Sequence, residues 1–457
     1  MKKFRITILA VIMAFAFILM GCAGCAFGLD GRDGKDGHSV TIDEIYQKYL
    51  EETGDDISFE EFLKIYLNYT NEELDEVISL KSKINKSLMS GVTIYTTFDY
   101  LSGRNTYHDI YTGSGAILWL NKSAGDAYVV TNCHVVYDED AIHPYCNDVK
   151  LFLYGQDEYE INYNVYKSSY FGYDDYTLTT GQDGKDYSIA AEVIGASITY
   201  DLALLKVTGS EVLKRSNAVA AEFSDEHDVK VGQTVYTIGN ASDEGMSASS
   251  GIISKDSEYI VLAISDEKEY RVMRITAPIN PGNSGGALYD TNGKIIGVVN
   301  SKDESDGIDN MGYALPGTSA KWLLQRMYDR HISGGTVGVI SKAQLGITTV
   351  VSDSYAQFDE NTNTAEIIQQ LKVNQVSFGT AANGKLQSGD YIKSFEVIGS
   401  DDSVKVEKFA LTREYHLREA LLAVSFGDTV VLTVERNGEE QEIPIKFDRS
   451  SYFINVV

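Results

Sequence analysis

From about Val92 onward the apolar residues recur with a period near two, in short runs bounded by Gly, Asn and Asp. Ala116–Leu120, Tyr128–Val130, Lys150–Tyr154, Val235–Ile238, Tyr259–Ile264 and Lys294–Val299 are examples. Successive side chains of a strand point to opposite faces, so this spacing predicts half-buried β-strands. Strands follow strands here, without the intervening helical patterns of a βαβ chain, and the expected fold is a mainly β sandwich or barrel. Forty glycines against five prolines suit many tight turns. At 457 residues the chain exceeds one ordinary domain, and two or three are expected.

The N-terminus reads differently. Lys2, Lys3 and Arg5 precede the apolar run Ile6–Met20, too short to span a bilayer comfortably and laid out as a secretory signal. The run ends in Leu19-Met20-Gly21-Cys22, which resembles the lipobox of bacterial lipoproteins. That resemblance implies a signal over 1–21, cleavage before Cys22, lipid on its sulfur, and an extracytoplasmic protein tethered to the membrane, at the cell surface or in the periplasm. Two acyl chains suffice for stable anchoring.

Residues 22–39 form a Gly/Asp-rich tether. Gly28, Gly31, Gly34 and Gly37 repeat every third residue, but without proline and too briefly for a collagen helix, so a hydrated spacer is expected. Residues 40–88 carry three capping boxes, Thr41-x-x-Glu44, Ser58-x-x-Glu61 and Thr70-x-x-Glu73, and are expected to form the short helices of a stalk or docking segment.

Two classes of function can be weighed at once. The formal charge is −27, from 39 basic and 66 acidic residues, which opposes nucleic-acid binding, since that needs clustered cations. An exported chain permits a disulfide between Cys133 and Cys146. Cys133 also suits a small buried hydrophobe within an apolar strand. Both readings stand.

Three segments carry chemistry together. Pro281-Gly282-Asn283-Ser284-Gly285-Gly286 can hold a serine on a tight turn, with backbone N–H groups converging on a developing oxyanion. Thr131-Asn132-Cys133-His134 places a histidine at the end of an apolar strand. Tyr200-Asp201-Leu202-Ala203-Leu204-Leu205 opens a buried strand with an aspartate, costly unless it accepts hydrogen bonds. The order His134, Asp201, Ser284 is that of the chymotrypsin-type triad, in which the serine attacks, the histidine moves its proton and the aspartate orients the ring.

TNCHVV, DLALLKV and PGNSGGAL resemble the HtrA/DegP family of trypsin-like serine proteases, with supporting likeness at Gly113–Ile117, Thr237–Asn240, Ser250–Ile253 and Gly312–Pro316. The resemblance implies a chymotrypsin-like double β-barrel over 89–332 and a serine endopeptidase acting on unfolded or misfolded proteins. It implies an oxyanion hole from the N–H groups of Gly282 and Ser284, with Asn283 shaping the turn. This chemistry requires no metal or organic cofactor. Pro278 stands where trypsin carries an acid, so an apolar S1 pocket edged by Ile279 and Val299 is expected. Members of this type commonly assemble as trimers, and residues 40–100 are available to contribute to one.

The segment 340–450 resembles a single PDZ domain of the kind appended to HtrA proteases. Gln344-Leu345-Gly346-Ile347 match its carboxylate-binding loop, and a peptide C-terminus is the implied partner. Leu417, Leu421 and Val424 share a helix face, read by default as core. Residues 352–376 depart from the compact pattern with a polar insertion. A second insertion lies at about 155–187, and 137–187 holds ten of the thirty tyrosines. Recognition or the covering of apolar surface would each use them. Two alternatives differ in class: a surface peptide-binding or holdase lipoprotein on a protease scaffold, and a lipase or esterase. The latter fits poorly, because α/β-hydrolases order their triad Ser, Asp/Glu, His along the chain.

Overall fold

The computed structural model describes residues 42–54, 57–58, 61–62, 71–156, 162–163, 168–169, 172–173, 178–179, 186–225, 229–261, 269–302, 311–360 and 363–456. The signal, Cys22, the glycine repeat, Thr41 and Thr70 lie outside them. The chain divides into two compact units, 1–75 and 76–457.

In the first unit helix α1 spans Ile42–Thr53. The rings of Tyr46 and Tyr49 pack against buried Phe62 at 5.3 and 5.2 Å, and Tyr46 Oη donates to the Ile57 carbonyl at 2.7 Å. Ser58 Oγ accepts from the Glu61 N–H at 3.1 Å, the cap expected there. Helix α2, Asn71–Leu88, begins in this unit. Its later residues Leu80, Ile84 and Leu88 pack against the core of the second.

Seven strands form the first sheet of the second unit: β1 Gly91–Ser102, β2 Asn105–Asn121, β3 Asp126–Thr131, β4 Asp148–Leu153, β5 Ile189–Ala190, β6 Glu192–Ser197 and β7 Leu202–Val207. Their spatial order is β6-β7-β3-β2-β1-β4-β5. The two edge strands are consecutive in sequence, separated by Ala191 alone, so the sheet has to curl until its edges approach. Inward alternation puts Val92, Ile94, Ile117, Val129, Val149, Leu151, Ala203 and Leu205 into one core. Between β4 and β5 the inserted segment contributes two short ladders, 162–163 with 178–179 and 168–169 with 172–173.

The next six strands close into a barrel: β8 Thr234–Gly239, β9 Ser247–Val261, β10 Glu269–Ile275, β11 Ala287–Asp290, β12 Ile295–Lys302 and β13 Gly312–Pro316. Its core holds Val235, Ile253, Met273, Ile275, Leu288, Val299 and Ala314. Ala116, Val130, Leu202 and Leu204 from the first sheet meet Ile238, Ala287, Val298 and Leu315 from the barrel in another apolar cluster. Helix α3, Cys133–Val136, follows β3, and α4, Gly317–Ile332, follows β13. Leu323, Leu324 and Met327 of α4 join the inter-sheet cluster, where Met327 lies so close to Gly195 that an added Cβ would stand 2.4 Å from its own.

A third β assembly completes the chain: β14 Ile340–Ala343, β15 Ile347–Asp359, β16 Thr364–Val376, β17 Tyr391–Ile398, β18 Val404–Ala410, β19 Thr429–Arg436, β20 Glu439–Lys446 and β21 Phe453–Val456, with helix α5 at Glu414–Ala420. β15-β16-β17-β19-β20 form one sheet, with β18 on β17, and β14 pairs β21. The polar insertion is the long β15–β16 hairpin. Leu417, Leu421 and Val424 all enter the core of this assembly, although α5 ends at Ala420. The fold is mainly β throughout, as the period of two required.

Candidate active site

His134 stands on α3, one helical turn directly after β3, not on the strand end itself. Its neighbours Cys133, Val135 and Val136 are buried in the first core and pin the turn, while the His134 side chain keeps 37% of its surface exposed. Burial, and then the charge of Asp201, push the Cys133 thiol well above its ordinary value, and burial pushes Cys146 up to about 12. Both cysteines are free. They pack as apolar groups.

Asp201 occupies the turn between β6 and β7 at φ 48°, a left-handed conformation that Asp tolerates better than most residues. β7 pairs with β3 so that Ala203 faces Thr131, which brings the preceding turn alongside α3. The carboxylate is fully buried. It accepts the His134 backbone N–H on Oδ1 at 2.9 Å and lies 2.8 Å from His134 Nδ1 on Oδ2. Burial alone would depress the His134 pKa, but the charge and hydrogen bond of Asp201 outweigh it and leave the pKa raised above 6.5.

Ser284 belongs to a turn packed into the seam between the two sheets. Gly282 and Gly285 have φ of 95° and 85°. A Cβ at Gly285 would stand 2.2 Å from Thr131 Oγ1 and 2.3 Å from the Ser114 carbonyl oxygen, and one at Gly286 2.3 Å from the Ile238 carbonyl oxygen. No side chain larger than hydrogen fits. The turn is also bonded to β2: Ser114 N–H donates to the Ser284 carbonyl at 2.8 Å, and Ser114 Oγ to the Gly282 carbonyl at 2.6 Å. Asn283 N–H donates to Asn280, and Gly285 N–H to Val299. The amides of Gly282 and Ser284 have no acceptor among the described residues.

The Ser284 hydroxyl donates to the Asn300 carbonyl at 2.9 Å and makes no hydrogen bond to His134. Asn300, fully buried on β12, also reaches Asp201 Oδ2 through Nδ2 at 3.3 Å and accepts from Leu315 N–H at 2.7 Å. Asn132 Nδ2 donates to the Asp201 carbonyl at 2.7 Å. Asn132 and Ser114 lie within the motifs quoted from the sequence but had no role assigned there, and Asn300 lies outside them. Asn300 carried a usable signal, a polar residue ending the apolar run Ile295–Val299, where burial demands a partner.

The two residues expected around S1 differ in placement. Ile279 is 8% exposed and lies against Gly312, where an added Cβ would be 2.5 Å from its Cγ1. Val299 is wholly buried in the barrel core, and its backbone rather than its side chain brackets the serine turn. In the C-terminal assembly Gly346 takes φ 77° with Thr380 against it, Leu345 is buried, and Gln344 is exposed with its N–H bonded to Tyr452. Ile347 opens the edge strand β15.

Residues 113–298 match the family model of the trypsin-like peptidase domain, a stretch that contains His134, Asp201 and Ser284. The chain is 27% identical over 397 residues to the serine protease Do-like HtrA of Lactobacillus helveticus, covering 83% of this chain and 80% of that one. It is 24% identical over 380 residues to the Bacillus subtilis protein of the same name, covering 82% and 70%. Among solved structures, the HtrA-type protease AlgW with decapeptide is 19% identical at a TM-score of 0.44, covering 80% of this chain and 97% of that one. With a trypsin-like peptidase domain matched over 113–298 and serine protease relatives aligned along most of the sequence, the chain is a serine protease whose trypsin-like domain is similar to those of HtrA relatives.

Proposed function

We propose that this serine protease is an extracytoplasmic endopeptidase, lipid-anchored through Cys22, that cleaves unfolded or misfolded proteins with His134, Asp201 and Ser284. The observation that carries the reading is the fully buried Asp201 carboxylate, which grips His134 by both backbone and ring. In that grip Nδ1 holds the ring proton, which leaves Nε2 free as the base. Ser284 Oγ turns from the Asn300 carbonyl to His134, gives up its proton and attacks the peptide carbonyl. The N–H groups of Gly282 and Ser284 bind the oxyanion; loss of one such donor typically costs about 3–4 kcal/mol of barrier. His134 then protonates the leaving amine, and water resolves the acyl-enzyme by the reverse sequence. Ile279 beside Gly312 leaves an apolar S1 surface suited to small or medium aliphatic residues.

The C-terminal assembly is read as a PDZ domain. Gln344–Ile347 would hold a peptide carboxylate, and edge strand β15 has an open side for strand addition. A homotrimer is the matching assembly, measured by light scattering on the purified protein.

One observation favours the second reading, a holdase on a protease scaffold: the Ser284 hydroxyl rests on Asn300 and not on His134. Reduced casein decides between them. The full-length protein in detergent degrades it and Ser284→Ala does not if the endopeptidase reading holds. Absence of degradation by the native chain, with C-terminal peptides added, favours the holdase. Loss of membrane association in Cys22→Ala tests the anchor.

A further inference from the structure

The loop after β8 adopts a conformation that its residues do not take freely. Ser242 and Asp243 are consecutive, side-chain-bearing and left-handed, at φ 58° and 59°. Such a pair persists only where its surroundings over-determine it. Here the restraint comes from the other sheet. Tyr95, 3% exposed on β1 with its ring edge-on to Phe152 at 5.6 Å, donates its hydroxyl to Asp243 Oδ1 at 2.6 Å. Asn240 Nδ2 donates to the same oxygen at 3.0 Å, and Asn240 Oδ1 accepts from Gly245 N–H at 2.8 Å.

The left-handed turn has one direct consequence at the serine. It presents the Ser242 N–H to the Pro281 carbonyl oxygen at 2.7 Å. That carbonyl belongs to the same peptide unit as the Gly282 N–H, and in a planar trans peptide the two point in opposite directions. Tethering the oxygen therefore aims the N–H. Asn240 closes the other side, since a Cβ on Gly282 would stand 2.1 Å from its carbonyl oxygen.

We propose that Tyr95 and Asp243 are positioning residues for the oxyanion site: their hydrogen bond locks the 242–243 turn, and the turn fixes the direction of the Gly282 N–H. The inference rests on the reading of Ser284 as nucleophile. It makes barrier lowering depend on a side chain of the first sheet that is not a member of the triad.

The test uses the full-length protein in detergent and an internally quenched peptide with valine at P1, with kcat and KM separated. Tyr95→Phe keeps the ring and removes the donor. It lowers kcat about tenfold at nearly constant KM, less than the ~10²–10³ that complete loss of an oxyanion donor costs. Asp243→Gly, free of backbone strain but without an acceptor, falls as far, and the double variant falls no further. Asp243→Asn retains both tolerance of the left-handed region and an acceptor oxygen, and recovers kcat to within about threefold. Native kcat in Tyr95→Phe, a loss confined to KM, or Asp243→Asn no better than Asp243→Gly overturns the proposal. Ser284→Ala run alongside separates the two levels: full activity there overturns the nucleophile assignment, whereas inactivity there with native Tyr95→Phe overturns only the positioning role.

Discussion

Arg271 is the residue whose replacement tests most directly how the C-terminal assembly is held. It lies on β10 at 8% exposure, and its Nε and Nη2 meet the two oxygens of Glu419 on α5 at 2.5 and 3.0 Å. Its Nη1 donates to the Asp256 carbonyl at 2.8 Å, and the guanidinium lies 3.8 Å from the Tyr415 ring centre. Arg413 pairs with Asp256 in the same layer. Removing one partner of such a buried pair typically costs 3–5 kcal/mol, because the other charge is left without compensation. Thr318 and Ser319 hydroxyls still reach Glu419, at 3.2 and 2.9 Å, so Arg271→Ala is expected near the lower bound, about 3 kcal/mol.

The chain contains two tryptophans, and Trp322 packs against both the inter-sheet core and the C-terminal core. In a Trp119→Phe background its fluorescence follows undocking. With a urea dependence of about 1–3 kcal/mol/M, the Arg271→Ala midpoint moves down by ~1–3 M. A buried ion pair replaced by apolar groups of similar volume is often neutral, so Arg271→Met with Glu419→Met restores most of the loss. A Trp322 midpoint unchanged in Arg271→Ala, or a double variant weaker than the single, would refute the reasoning.

Other expectations follow from the site. Because the His134 pKa is raised by Asp201 and the base must be neutral, kcat/KM rises with pH through a midpoint above 6.5. Asp201→Asn removes the upward contribution and leaves burial, so the midpoint falls below 6.5 while kcat drops by ~10⁴, both read from a pH–rate profile. Gly285→Ala combines φ 85° with a backbone oxygen at 2.3 Å from the new Cβ and is expected to lose about 2–4 kcal/mol with all activity; native melting behaviour would contradict the packing described. Asn300→Ala strands the Leu315 N–H and strips a donor from Asp201, costing roughly 1–3 kcal/mol in urea unfolding.

The period of two, the glycine punctuation and the chain order His134, Asp201, Ser284 were legible without coordinates, because strand alternation and turn chemistry are local properties. Alternation alone does not separate a sandwich from a barrel. Closure depended on long-range pairing: the second sheet closes because β8 pairs with both β9 and β11. The burial of Val299 was likewise not legible, since a strand's two faces look alike until a neighbour covers one. His134 and Asp201 are 67 residues apart and touch only through the β3–β7 register. The same holds for Tyr95 with Asp243 and Arg271 with Glu419, 148 residues apart in each case. An arginine or tyrosine in a strand carries no mark of the partner that tertiary packing will bring to it. What the sequence determined is the set of groups that the proposed mechanism uses. Their directions, down to the Ser284 hydroxyl resting on Asn300 and the Pro281 carbonyl held by the Ser242 N–H, were decided by long-range packing, because hydrogen bonds across a fold are chosen by geometry that no local segment contains.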